Sequence, residues 1–146
     1  MNILKPLESA LEKMKINGWN CIYILVDLHG TIIKPNYNLE VYKFYPYAKE
    51  TLQLLTKRPD IKLILWTCTT KEYINKILKV LEENEIHIDY INENPETKPN
   101  PLTDPHSLSF ESKLYFNVGL DDKMGFEPDV DWKIIHDYLQ HSSSII

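Results

Sequence analysis

Two stretches of this chain, "CIYILVD" at 21–27 and "IKLILWT" at 61–67, run apolar with almost no alternation, and each stops on a polar residue. A strand with one wet face alternates apolar and polar side chains. A continuous run demands cover on both faces, which is the condition inside a parallel sheet. Between the two runs there is room for a helix that starts at Pro46, a residue favoured in the first helical turn, and continues through "YAKETLQLLTK" to the break at "RPD". Parallel strands joined by a helix form a βαβ unit, whose crossover is right-handed.

The alternation continues along the chain. "TTKEYINKILKVLEENE" places Ile74, Ile77, Leu78 and Leu81 on one helical face with lysines and glutamates opposite. A short strand is predicted near "IDYIN", another within "KLYFNVGLDD", and a last helix over "WKIIHDYLQH" with Asp131 as its N-cap. Ahead of the first strand, Leu4, Leu7, Leu11 and Met14 recur at spacings of three and four, marking a leading helix within 1–18 that Gly18 can end. Its apolar stripe is read as packing on the sheet, with a homodimer interface as the alternative. The stretch 92–112 is rich in Pro, Asn, Thr and Ser and long for a connection, and loops of this length are usually functional or mobile.

This order predicts an α/β protein: a three-layer α/β/α sandwich around a mostly parallel, Rossmann-like sheet, with 1–146 as one domain. Sheets of this kind bind ligands beyond the carboxyl ends of their strands. Three predicted strands put distinctive polar residues at that edge: Asp27, then Thr67, then Asp121 with Asp122.

Composition narrows the partners. With 43% hydrophobic residues, 25% charged residues and a net charge of -5, the chain reads as globular, with no excess of positive charge for nucleic acid. No stretch approaches the roughly 20 apolar residues of a membrane span, and the charged amino terminus lacks the apolar core of a signal peptide. Cys21 and Cys68 do not form a disulfide framework, and His87, His106, His136 and His141 show no zinc-ligand spacing with them. A cytoplasmic protein is expected.

"DLHGT" at 27–31, "LILWT" at 63–67 and "VGLDDK" at 118–123 together resemble the first, second and fourth motifs of the haloacid dehalogenase superfamily of phosphotransferases. Each motif is weak alone; the order, and the position of each at the end of a buried strand, carry the resemblance. It implies a Mg²⁺-dependent phosphatase or phosphotransferase acting on a small phosphomonoester through an aspartyl-phosphate. Asp27 would be the nucleophile and Thr67 would hydrogen-bond the phosphoryl oxygens. A third-motif lysine would offset developing charge; Lys113, just ahead of the strand that ends in Asp121, is favoured, and Lys98 is the alternative. The metal would be held by Asp27, the main-chain carbonyl of His29, and Asp121, with Asp122 able to exchange roles with Asp121. The connection after Gly30 is too short for a folded lid, so no sizeable cap is expected.

Position 29 departs from the family pattern, which has a second aspartate there as general acid and base, a contribution worth roughly 10² to 10⁴ in rate. Imidazole titrates near working pH and can do the same work. Three outcomes stay open: His29 replaces the acid, His29 contacts substrate, or turnover is lost while binding persists. In the last case the chain is a domain of the same fold that binds a phosphorylated ligand or a protein partner.

Overall fold

A computed structural model of the chain describes residues 2–35, 42–97 and 114–142. Helix α1 (Leu4–Asn17) leads into strand β1 (Ile22–Asp27). Then follow α2 (Ala48–Thr56), β2 (Ile61–Trp66), α3 (Lys71–Glu83), β3 (Tyr90–Ile91), β4 (Val118–Leu120) and α4 (Asp131–Ser142). The four strands pair in the order β3-β2-β1-β4, all parallel, with helices flanking the sheet, consistent with a layered Rossmann-like sandwich. Among the described residues no cap of regular elements interrupts it, and no helix is long and apolar enough to cross a membrane.

The unbroken apolar runs are explained by two cores. Ile22, Ile24 and Val26 of β1 join Ile61, Leu63 and Leu65 of β2 and buried side chains of all four helices in the larger one. Tyr23 and Leu25 face the other way with Ile64, packed by Tyr90, Leu114, Tyr115 and Phe116. Each fully buried Leu or Ile here contributes about 1.5–3 kcal/mol, so the central strands specify their own place in the sheet.

Gly18 takes the left-handed conformation at the end of α1, at φ 69°, and its N–H returns to the Met14 carbonyl, as its sequence position predicts. Other boundaries differ. Helix α2 starts at Ala48 rather than Pro46, because Tyr47, at φ 64°, turns the chain just before it. Strand β4 occupies only Val118–Leu120 of the longer predicted run, since Leu114–Phe116 turn their apolar side chains onto the second core. Asp131 begins α4, but its carboxylate accepts the Glu127 N–H at 2.7 Å and so secures the preceding turn.

Strand order decides where the functional edge lies. From β1 the chain moves outward through β2 to β3, then crosses back to place β4 on the free side of β1. The connections therefore diverge between β1 and β4. That switch point, at the carboxyl end, is where such sheets open a crevice.

Candidate functional site

Register brings the strand ends together. Val26 pairs with Leu120, so Asp27 and Asp121 follow side by side, and Asp27 itself pairs with Trp66, the residue before Thr67. Carboxylate oxygens of Asp27, Asp121 and Asp122 lie within 4.8 Å of one another. Among the described residues this is the one such group of potential metal ligands, and the His29 ring is not in it. Asp121 is buried and Asp122 exposed, so the cluster spans the step from core to solvent.

The turn after β1 is built to support these acids. The Leu28 carbonyl, inside the core, receives the N–H groups of Thr31, Ile32 and Ile33 at 3.3, 2.9 and 3.1 Å. Gly30 sits at φ 85°, and a Cβ there would come 2.8 Å from Asp122 Oδ2, so both conformation and space require glycine. The fully buried Thr31 hydroxyl lies 3.2 Å from Asp27 Oδ2 and 3.3 Å from Asp122 Oδ1, and accepts the Asp122 N–H at 3.0 Å. Trp132 of α4 closes the arrangement from below, donating its indole N–H to the Thr31 carbonyl at 2.7 Å. Asp121 Oδ1 accepts the Lys123 N–H at 2.9 Å.

Thr67 is held by a residue with no conspicuous sequence signal. Asn92, at φ 56°, accepts the Thr67 N–H and donates to the Thr67 carbonyl, both at 2.8 Å, imitating a further rung of the β2–β3 ladder. His29 points its Nε2 to the Tyr73 hydroxyl at 3.0 Å, its ring roughly parallel to the Tyr73 ring with centroids 5.3 Å apart. Thr31 closes the "DLHGT" motif, but its contact with Asp122, 91 residues away, and the roles of Asn92 and Tyr73, set by partners 25 and 44 residues away, escape sequence reading. Lys98 and Lys113 lie outside the described residues.

Electrostatics marks Asp27. Burial, then the charge of Asp121, then the Asp122 carboxylate push its carboxyl up to about 6, against a smaller opposing effect of the Thr31 hydroxyl. Burial lowers His29 and favours neutral imidazole. The donors in the cluster are all carboxylate oxygens, the ligand type hard divalent cations prefer, and their crowding is what a cation would relieve. The residues fit a hard divalent cation on both counts.

The chain matches no protein-family model and no curated protein. A solved structure described as the conserved protein coded by a locus from Bacteroides thetaiotaomicron is similar, at 26% identity and a TM-score of 0.60, over 84% of this chain and 93% of that one. The likeness supports the α/β fold.

Proposed function

We propose that this protein is a Mg²⁺-dependent phosphatase or phosphotransferase of the haloacid dehalogenase type, acting on a small phosphomonoester in the cytoplasm. The observation that carries the reading is the convergence of Asp27, Asp121 and Asp122 at the sheet's switch point. An acid cluster beside the end of a buried strand fits a nucleophile next to its metal ligands, and three crowded carboxylates are costly to keep for structure alone.

Asp27, Asp121 and Asp122 would hold Mg²⁺ with help from the His29 carbonyl, and the ion would supply positive charge against the approach of an anionic nucleophile to an anionic phosphate. Asp27 attacks phosphorus through a carboxylate oxygen; the bond to the leaving oxygen breaks and carries its electron pair away. Thr67, fixed at the end of β2 by Asn92, donates its hydroxyl to the phosphoryl oxygens. A lysine, Lys113 or Lys98, completes the charge balance. Water then attacks the aspartyl-phosphate and the Asp27 carboxylate is regenerated. His29, two residues past Asp27 in the chain, would take the water's proton.

The tether of the imidazole to Tyr73 favours a second reading, in which the domain binds a phosphorylated ligand without turnover. One assay separates the two: Mg²⁺-dependent release of inorganic phosphate from a panel of phosphomonoesters by the wild type and by Asp27→Asn. Release that the substitution abolishes supports the enzyme. Equal background rates across the panel sink it.

A further inference from the structure

At its carboxyl edge, the face of the sheet that carries the second core shows an apolar feature that phosphoryl transfer alone does not require. Side chains alternate along a strand, so residues two apart share a face. Tyr23 and Leu25 of β1 and Ile64 of β2 belong to the second core, and the next positions on that face are Asp27 and Trp66. These two are also partners in register, and neighbouring strands lie about 5 Å apart, so the indole springs from the backbone beside the proposed nucleophile. On the other side of β1, Val118 and Leu120 of β4 belong to the larger core, which leaves Gly119 on the second face. A Cβ on Gly119 would lie 3.1 Å from Phe116 Cε2 and 3.8 Å from Met124 Sδ. Gly119 pairs with Leu25, two residues before Asp27, so the Met124 thioether folds back over β4 on the face that holds Asp27 and Trp66. Trp66 is 37% exposed and Met124 55%. Trp132, by contrast, is fully buried and donates its indole N–H to the Thr31 carbonyl. Among the described residues neither the N–H nor the ring of Trp66 has a hydrogen-bond or ring partner.

We infer that Trp66 is a specificity-determining residue: its indole, with the Met124 thioether across Asp27, receives a planar aromatic ring carried by the leaving group. The site then selects phosphomonoesters of nucleosides or phenols over those of plain sugars or alkyl alcohols. The inference rests on the phosphoryl-transfer reading and supplies its substrate class. A flat ring stacks on an indole, and a polarisable thioether favours an aromatic neighbour. Strands β2 and β4 lie about 10 Å apart across β1, wide enough to seat one flat ring between the two side chains. Every aromatic ring has a π-face, so such a seat separates ring from no ring rather than one base from another. Because the ring is remote from the reacting oxygens, it contributes equally in ground and transition states and is read in KM rather than kcat.

Two measurements on the full chain with Mg²⁺ test this. The first compares KM within two matched pairs. Adenosine 5′-monophosphate and ribose 5-phosphate share the leaving oxygen and differ by the base; phenyl phosphate and cyclohexyl phosphate differ in the planarity of the ring. The wild type is expected to show a KM about tenfold lower for the aromatic member of at least one pair, and the pair that responds tells nucleoside from phenol. Trp66→Ala should remove that difference by raising the aromatic KM about tenfold, with kcat and the other KM within about twofold. Trp66→Phe, which keeps a flat ring, should retain most of the preference. The ratio compares two substrates on one protein, so a loss of folded material cancels. Equal KM within both pairs, or a ratio that Trp66→Ala leaves unchanged, overturns the inference. The second measurement needs no turnover: calorimetric binding of the same four compounds to Asp27→Asn, with and without Trp66→Ala. Aromatic preference in binding that Trp66→Ala removes, with no phosphate release by the wild type, fails the phosphoryl-transfer reading while the ring seat stands. Release without aromatic preference fails the inference alone, and neither release nor binding fails both.

Discussion

Toward the amino ends of β1, β2 and β3, Glu96 accepts hydrogen bonds from Tyr23 at 3.1 Å, from Tyr90 and from Lys62, and these partners hold its carboxyl below the usual range, Lys62 most of all. Four residues farther along β1 the opposite condition holds. Asp27 faces two further carboxylates, and among the described residues no lysine or arginine forms an ion pair with any of the three. One end of the sheet satisfies a single acid with three donors; the other crowds three acids together, two of them sharing one threonine hydroxyl. The contrast separates a cluster that closes the fold from one whose charge no described lysine or arginine offsets. Crowding of that kind costs stability, and sites retain it where a ligand will use it.

The sharpest way to break the comparison is to neutralise one acid at each end. Asp27→Asn should reduce Mg²⁺-dependent phosphate release by roughly 10³-fold or more, the expected loss of a covalent nucleophile, whereas Glu96→Gln should stay within about twofold of wild type. Comparable losses in both variants would erase the distinction. Backbone strain offers the next largest effect. Gly30→Ala must accept φ 85° and a Cβ 2.8 Å from Asp122, so a loss of about 2–3 kcal/mol in denaturant unfolding is expected. Gly18→Ala, also left-handed but with nothing within 4 Å, should cost only about 1 kcal/mol.

The two acids should also respond to pH with opposite sign. Asp27 has a folded-state pKa of about 6, above its ordinary 3.8, so its proton favours the folded state. That contribution is complete below about pH 4 and is lost as pH rises through 6. Asp27→Asn should therefore stabilise the metal-free protein at pH 7, by about 1 kcal/mol once solvent screening is allowed for, with the gain vanishing at pH 4. Proton and metal compete for the same oxygens, so Mg²⁺ affinity measured by calorimetry should weaken roughly tenfold per unit below pH 6. A flat affinity between pH 5 and 7 would count against Asp27 as a ligand. Glu96 works the other way: its lowered pKa stabilises the fold above the ordinary value of 4.5 and is lost as pH falls. Since the Glu96–Lys62 pair is largely exposed, Glu96→Gln should cost only about 0.5 kcal/mol at pH 7.

Much of the scaffold was legible in local pattern. A strand covered on both faces must read as a continuous apolar run, and the residue at its carboxyl end must be where polarity returns, so Asp27, Thr67, Asp121 and Asp122 could be picked out one strand at a time. Tyr47, Asn92 and Tyr73 could not. Left-handed backbone at a tyrosine is imposed by surroundings rather than propensity, and asparagine, which tolerates that conformation, adopts it only where the surroundings ask for it. Nothing in "TTKEYINK" distinguishes Tyr73 from any other aromatic on a helix's apolar face.

By itself, then, the amino-acid sequence determined the alternation of buried strands and amphipathic helices and the identity of the acids at the strand ends, because these depend on side chains close together in the chain. Only the tertiary structure decided that β4 returns beside β1, which is what gathers Asp27, Asp121 and Asp122 within 4.8 Å of one another. It also decided the direction of His29, which turns on its hydrogen bond to Tyr73, 44 residues away in the chain. Strand order and side-chain partners across such separations are set by which surfaces pack together, and no local pattern of residues contains that information.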